Sequence, residues 1–231
     1  MELSITLIII IITSVISIGA FNNNRLMNDL IFYPPSINRG QWYRFFSCGL
    51  IHADWPHLIF NMLALYLFGI GRVNTPYGPV NMGVEYAFIE IFGDSGKWLY
   101  LLMYVLALAV CLLPVYFKNR DNYHYRSLGA SGAVSAVIFA HIILRPTSGM
   151  GLFFIPVFVA SFIFGILYLI LSSWMDRRGG GNINHSAHIF GALFGIIFLV
   201  VACQIVDFPV IQSFVEQIKN MEPGDFIQFG R

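Results

Sequence analysis

Three short stretches hold residues whose types and spacing could do hydrolytic chemistry. The first, LGASGAVSAV at 128–137, places Ser131 between Gly129 and Gly132 at the start of an apolar helical pattern. The second, HADWPHLIFNM at 52–62, carries His52, His57 and Asn61. The third, HSAHIFGALFG at 185–195, carries His185 and His188. A serine hydroxyl is a weak nucleophile and needs a base beside it. His188 can take its proton and later return it to a leaving amine. The tetrahedral oxyanion then needs fixed donors. His57 and Asn61, four apart on one helical face, can supply side-chain N–H groups. The Ser131 backbone N–H lies at a helix start, where such groups lack partners and the dipole favours negative charge. Gly191 and Gly195 form a small-xxx-small face that lets helices approach closely.

Each residue alone has a plainer reading. A serine in a membrane helix usually hydrogen-bonds a carbonyl one turn back, and a lone histidine commonly joins two helices. The set together points to acyl transfer. A soluble nucleophile elbow, G-x-S-x-G, is not formed, because Ala133 stands at the second glycine. The H-E-x-x-H zinc-protease motif is absent. A metal held by His52, His57, His185 and His188 is the remaining ligand reading, and no metal or other cofactor is expected. The usual aspartate of a triad has no obvious candidate near the last apolar run, so a Ser–His dyad is expected rather than a triad.

The elements that must carry these residues belong to a membrane protein. The chain is 57% hydrophobic and 11% charged, against about 25% charged in soluble domains. Its net charge of +1 and lack of a Lys/Arg tract give no footprint for nucleic acid. Cys48, Cys111 and Cys203 fall in or beside apolar runs and read as small core hydrophobes. Six helices are expected, at about 3–21, 56–70, 98–117, 129–144, 152–174 and 185–206. The first lacks a basic n-region and reads as a retained span rather than a signal peptide. Pro34 and Pro35 are expected to exclude a helix in the first loop, while Trp42, Tyr43, Phe45 and Phe46 suit an interfacial aromatic belt. A loop is expected over 71–97. Residues 1–207 form one domain, and 208–231 a polar tail in water or along the interface. With the N-terminus inside, eight of the 13 Lys and Arg fall outside, so charge does not fix the orientation.

These motifs, from about Trp42 to Gly195, resemble the rhomboid family of intramembrane serine proteases. GASG at 129–132 is similar to its G-x-S-G, and AHIFGALFG at 187–195 to its A-H-x-x-G-x-x-x-G. HADWPHLIFNM is similar to its H-x-x-x-x-H-x-x-x-N, and WYRFF at 42–46 to its first-loop W-R signature. The resemblance implies an all-α membrane protein, a six-transmembrane-helix rhomboid bundle with a Ser–His dyad. It implies Ser131 as nucleophile, His188 as base, His57 and Asn61 with the Ser131 N–H as the oxyanion hole, and supporting roles for Gly129 and His52. It implies a cytoplasmic N-terminus, a site opening outward, and peptide bonds of transmembrane proteins in the bilayer as substrates. Two features depart from the pattern. Many members carry an aromatic residue four after the nucleophile, packed on the base. Here that position is Ser135, so the Ser135 hydroxyl or another helix must orient His188. RVNTPYGPVN at 72–81 looks like an insertion.

Two rival functions share these residues. One is a transporter or channel that uses the His/Asn/Ser cluster as a proton or solute path. The other is a catalytically inactive rhomboid-like protein that binds membrane clients. Helix 5, uncharged over 152–174 and carrying Phe158, Phe162 and Phe164, is the expected lateral gate. Polar groups around His52, His57 and Asn61 are expected to line a water-filled cavity. Short loops without appended domains suit a multi-pass protein of a bacterial inner membrane.

Overall fold

Polar caps set where each apolar run begins. The computed structural model describes residues 4–75, 78–151, 157–178 and 184–229. Helix α1 (Ile5–Phe21) starts at Ser4, whose hydroxyl caps the Leu7 N–H. Its remaining free N–H groups meet a buried carboxylate. Glu85 accepts from Ser4 Oγ at 2.6 Å, Ile5 N at 2.7 Å and Thr6 N at 3.0 Å. A carboxylate on a helix N-terminus satisfies orphan donors and the positive dipole end together.

The first loop folds into α2 (Asn24–Leu30), α3 (Pro34–Ile37) and α4 (Arg44–Ser47). The prolines do not exclude a helix here. Pro34 and Pro35 occupy the first turn of α3, where a missing N–H costs nothing and the fixed φ suits the helix. Arg44 is buried and donates to the Asn28 and Ile31 carbonyls at 2.8 and 2.7 Å and to Gln41 at 2.7 Å. Trp42, Tyr43 and Phe46 are exposed, as a belt requires, but Phe45 is core.

Helix α5 (Trp55–Gly69) is capped by Asp54, which accepts from His57 N at 2.8 Å. The expected loop after it contains more structure. An antiparallel hairpin of β1 (Arg72–Thr75) and β2 (Gly78–Asn81) precedes α6 (Val84–Phe92). The short helix places Val84, Ala87 and Phe88 on one buried face. Next come α7 (Gly96–Val110) and α8 (Leu113–Asn119). Val84–Asn119 is helical and apolar nearly throughout but is not one rod. Gly93 at φ 59° breaks it once, and Pro114 in the first turn of α8 marks a second break.

Helix α9 (Ser131–Leu144) leads into β3 (Gly149–Gly151), β4 (Val157–Ala160) and α10 (Ser161–Arg178). The fifth helix therefore begins later than expected, and Phe158 lies on a strand. Helix α11 (His185–Ile205) and α12 (Val210–Lys219) follow. Strand β5 (Ile227–Phe229) pairs with β4, which pairs with β3. Leu3, Pro76, residues 152–156 and residues 179–183, all part of expected helices or turns, lie outside the described residues.

The protein is mostly helical. Val84–Asn119 and His185–Ile205 are long and apolar enough to cross a membrane, and Ile5–Phe21, Trp55–Gly69 and Ser131–Leu144 are shorter apolar helices. The main core joins α1, α5, α6, α7, α9 and α11 around Leu65, Phe88, Tyr100, Met103 and Leu199. Cys48, Cys111 and Cys203 are free and buried.

Candidate active site

Helices α9 and α11 touch through backbone. A Cβ on Gly191 would fall on the Gly132 carbonyl oxygen, and one on Gly195 on the Ala136 carbonyl oxygen. A step of four along α11 matches a step of four along α9, so the two helices run parallel and in register. Small residues permit this approach. It brings together two residues from the first turns of the helices. Ser131 is the first residue of α9, and His188 lies three before Gly191. Ser131 Oγ and His188 Nε2 are 2.7 Å apart. Among the described residues, Ser131 is the hydrogen-bond partner of the His188 ring, and no carboxylate reaches it.

The turn before Ser131 is built to a shape that side chains resist. Gly129 has φ 109°, a region open to glycine. A Cβ there would also stand 2.7 Å from His57 Cε1 and 2.8 Å from His57 Nε2. Gly129 N donates to Cys48 O at 2.9 Å, and Phe32 and Ser127 exchange backbone hydrogen bonds, so the first loop grips this turn. Asn184 caps α11 through Ala187 N at 3.1 Å and donates to Ser127 Oγ at 3.1 Å. That ties the approaches of both helices. Burial pushes the Tyr125 phenol up to about 12, which keeps it a neutral hydroxyl beside Ser127 and Asn184.

His52 is fully buried beneath this turn. Its Nε2 accepts from Ala130 N at 3.4 Å, and its Nδ1 lies 2.9 Å from Ser17 Oγ. Ser17 in turn donates to Leu50 O at 3.0 Å. These bonds close consistently for a neutral imidazole with its proton on Nδ1. The His52 ring is enclosed by these contacts. It links α1 to the residue before Ser131. His57 lies edge-on to it, ring centroids 4.9 Å apart, and is partly exposed. Asn61 is buried one turn deeper and gives one amide N–H to His57 O at 2.9 Å, leaving the second N–H.

Sequence reasoning missed Ser17, Asn184 and Tyr168. Tyr168 on α10 stacks near-parallel on His188, centroids 6.3 Å apart at 21°. Its hydroxyl is 3.1 Å from Ser135 Oγ. The signal for Tyr168 was its spacing with Ser161, Gly165 and Ser172, which puts all four on one face of α10. Among the described residues, no group of three or more His, Cys, Asp or Glu could hold a metal ion.

Residues 39–205 match the rhomboid domain. The chain is similar to RHOMBOID-like protein 12, mitochondrial, of Arabidopsis thaliana, 29% identical over 178 residues covering 77% of this chain and 51% of that protein. It is similar to Rhomboid-related protein 1 of Caenorhabditis elegans, 27% identical over 187 residues covering 78% of this chain and 45% of that protein. It is also similar to Rhomboid-like protein 11, chloroplastic, of Arabidopsis thaliana, 25% identical over 165 residues covering 68% and 51%. The chain spans about half the length of these relatives.

Proposed function

The chain belongs to the rhomboid family, and on that premise we propose that it is an intramembrane serine endopeptidase working through a Ser131–His188 dyad. The observation that carries this reading is the 2.7 Å approach of Ser131 Oγ to His188 Nε2 at the start of two abutting helices. Ser131 Oγ attacks the scissile carbonyl carbon while its proton passes to His188 Nε2. The carbonyl oxygen becomes an oxyanion facing the Ser131 N–H, the free Asn61 N–H and His57. His188 then protonates the leaving amine as the C–N bond breaks, leaving an acyl ester on Ser131. A water molecule, deprotonated by His188, releases the acid and returns the proton to Ser131.

The bundle supplies six spans in this reading: α1, α5, α7, α9, α10 and α11. The N-terminus is cytoplasmic, and residues 1–207 form the membrane domain, with 208–231 beyond it. Substrates are transmembrane proteins reached through the bilayer. The bacterial inner membrane rests on short loops without appended domains. Relatives named for mitochondria and chloroplasts point equally to an organelle membrane, and imaging of the tagged chain in its own cells decides between them.

The test is a reconstituted chain given a model membrane substrate and, separately, a fluorophosphonate that labels activated serines. Cleavage and labelling are expected in the wild type and lost in Ser131→Ala and His188→Ala. Full activity in either variant overturns the dyad. Absence of both signals in the wild type favours the inactive, client-binding protein. Proton flux that survives Ser131→Ala favours the transporter.

A further inference from the structure

We propose that Tyr168 is the positioning residue for His188, so that the fifth helix holds the catalytic base in its working orientation. This rests on the dyad reading above. A histidine base must point one nitrogen at the serine, and its ring turns freely about χ2 unless neighbours fix the plane. In a triad a carboxylate does this. Among the described residues, none bonds the His188 ring. What the ring has is a near-parallel Tyr168 over one face at 6.3 Å and 21°, and His185 edge-on at 5.9 Å and 76°. Offset stacking at such distances is attractive and restricts the ring plane.

Tyr168 is itself fixed at three points. Its hydroxyl meets Ser135 Oγ at 3.1 Å. Phe139, one turn beyond Ser135 on α9, contacts its ring at 5.7 Å. Phe164, one turn earlier on α10, lies near-parallel at 6.5 Å and 21°. Ser135 is small because the tyrosine hydroxyl end occupies the space beside it. The position four residues after the nucleophile therefore bears the aromatic's anchor instead of the aromatic.

The element carrying Tyr168 gives this a consequence. Helix α10 buries only Ser161, Gly165 and Ser172 among its described side chains, while Ile166, Leu167, Ile170 and Leu171 are 55–61% exposed. It is held to α9 through a narrow small-residue face and to α11, where Ser186 Oγ donates to Asp176 Oδ1 at 2.7 Å. Any outward movement of α10 withdraws the ring from His188, so the position of this helix and the competence of the base are coupled.

A fluorophosphonate small enough to reach Ser131 without a transmembrane substrate reads base function alone. Tyr168→Ala is expected to slow labelling roughly tenfold or more and to shift the acid limb of its pH profile. Tyr168→Phe keeps the stack and is expected to recover most of the rate. Gly165→Leu wedges α10 away from α9, because even a Cβ there stands 3.0 Å from Ile142 Cδ1 and 3.4 Å from Phe139 Cε1. It is expected to slow labelling in the wild type and to add nothing in Tyr168→Ala. Labelling of Tyr168→Ala at the wild-type rate with an unchanged pH profile overturns the positioning role. Additive losses in the double variant overturn the coupling to α10. Failure of the dyad itself is distinguishable, because the wild type would then not label or Ser131→Ala would.

Discussion

Gly191→Ala tests whether backbone contact between α9 and α11 sets the catalytic distance. The added methyl carbon would stand 2.8 Å from the Gly132 carbonyl carbon and 3.1 Å from Gly132 Cα, with Gly132 O closer still. Carbon–carbon contact is comfortable at about 3.5–4.0 Å. Every atom in the clash on the α9 side is backbone, so no rotamer relieves it. Helix α11 must recede from α9 by roughly 1 Å. His188, three residues before Gly191, recedes with it. The 2.7 Å separation from Ser131 Oγ then stretches past the hydrogen-bond reach of about 3.2 Å. A misplacement of about 1 Å costs on the order of 100-fold in rate, and overpacking costs about 1–3 kcal/mol of stability. The assay is the second-order rate of fluorophosphonate labelling in proteoliposomes, with helicity and thermal unfolding measured alongside. Gly224→Ala, where a Cβ meets nothing within 4 Å, is the unaffected control. Gly195→Ala clashes one turn deeper and is expected to destabilise comparably while slowing labelling less. A folded Gly191→Ala chain labelled within roughly threefold of the wild type would refute the reasoning.

Two further outcomes follow from the site. Asn61→Ala removes the proposed oxyanion donor and is expected to lower kcat by about 10²–10³ with little change in KM, measured by steady-state cleavage of a model substrate; an unchanged kcat takes Asn61 out of the oxyanion hole. His52→Ala leaves the buried Ala130 N–H without its acceptor and is expected to cost about 1–3 kcal/mol, read as a lower unfolding temperature together with slower labelling of Ser131; an unchanged unfolding temperature denies it the supporting role.

What the sequence made legible and what it hid divide along a physical line. Ser131 and His188 stand in local motifs whose glycines sit at helical spacing, and the structure brings the two side chains together through those same glycines. Four of the six expected helices begin and end within about two residues of their expected bounds, because long apolar runs carry their own signal. The third splits at Leu112, where Pro114 was visible but its effect depended on packing. Helix α6 was missed because nine residues with two glutamates look like loop until Glu85 is seen capping α1, about 80 residues away in sequence. Ser17 left no local trace, since its partner His52 is 35 residues distant, and the local signals of Asn184 as a helix cap and of Tyr168 on the small-residue face of α10 did not reveal their distant partners Ser127 and Ser135. Ser135 was legible only as a gap. Its reason lies on another helix.

The abutting of α9 and α11 also orders events in time. Ser131 and His188 are 57 residues apart in the chain, so a ribosome makes the nucleophile well before the base. A chain that has inserted α9 but not α11 has a serine with no proton acceptor and an oxyanion turn still lacking its tie to Asn184. If the dyad is the catalytic machinery proposed above, hydrolytic competence appears only when the last of the site-bearing helices docks. Under the proposed mechanism, a half-made or misinserted protein is therefore harmless to the membrane proteins being synthesised around it, and the same glycines that close the interface act as a check on completed assembly.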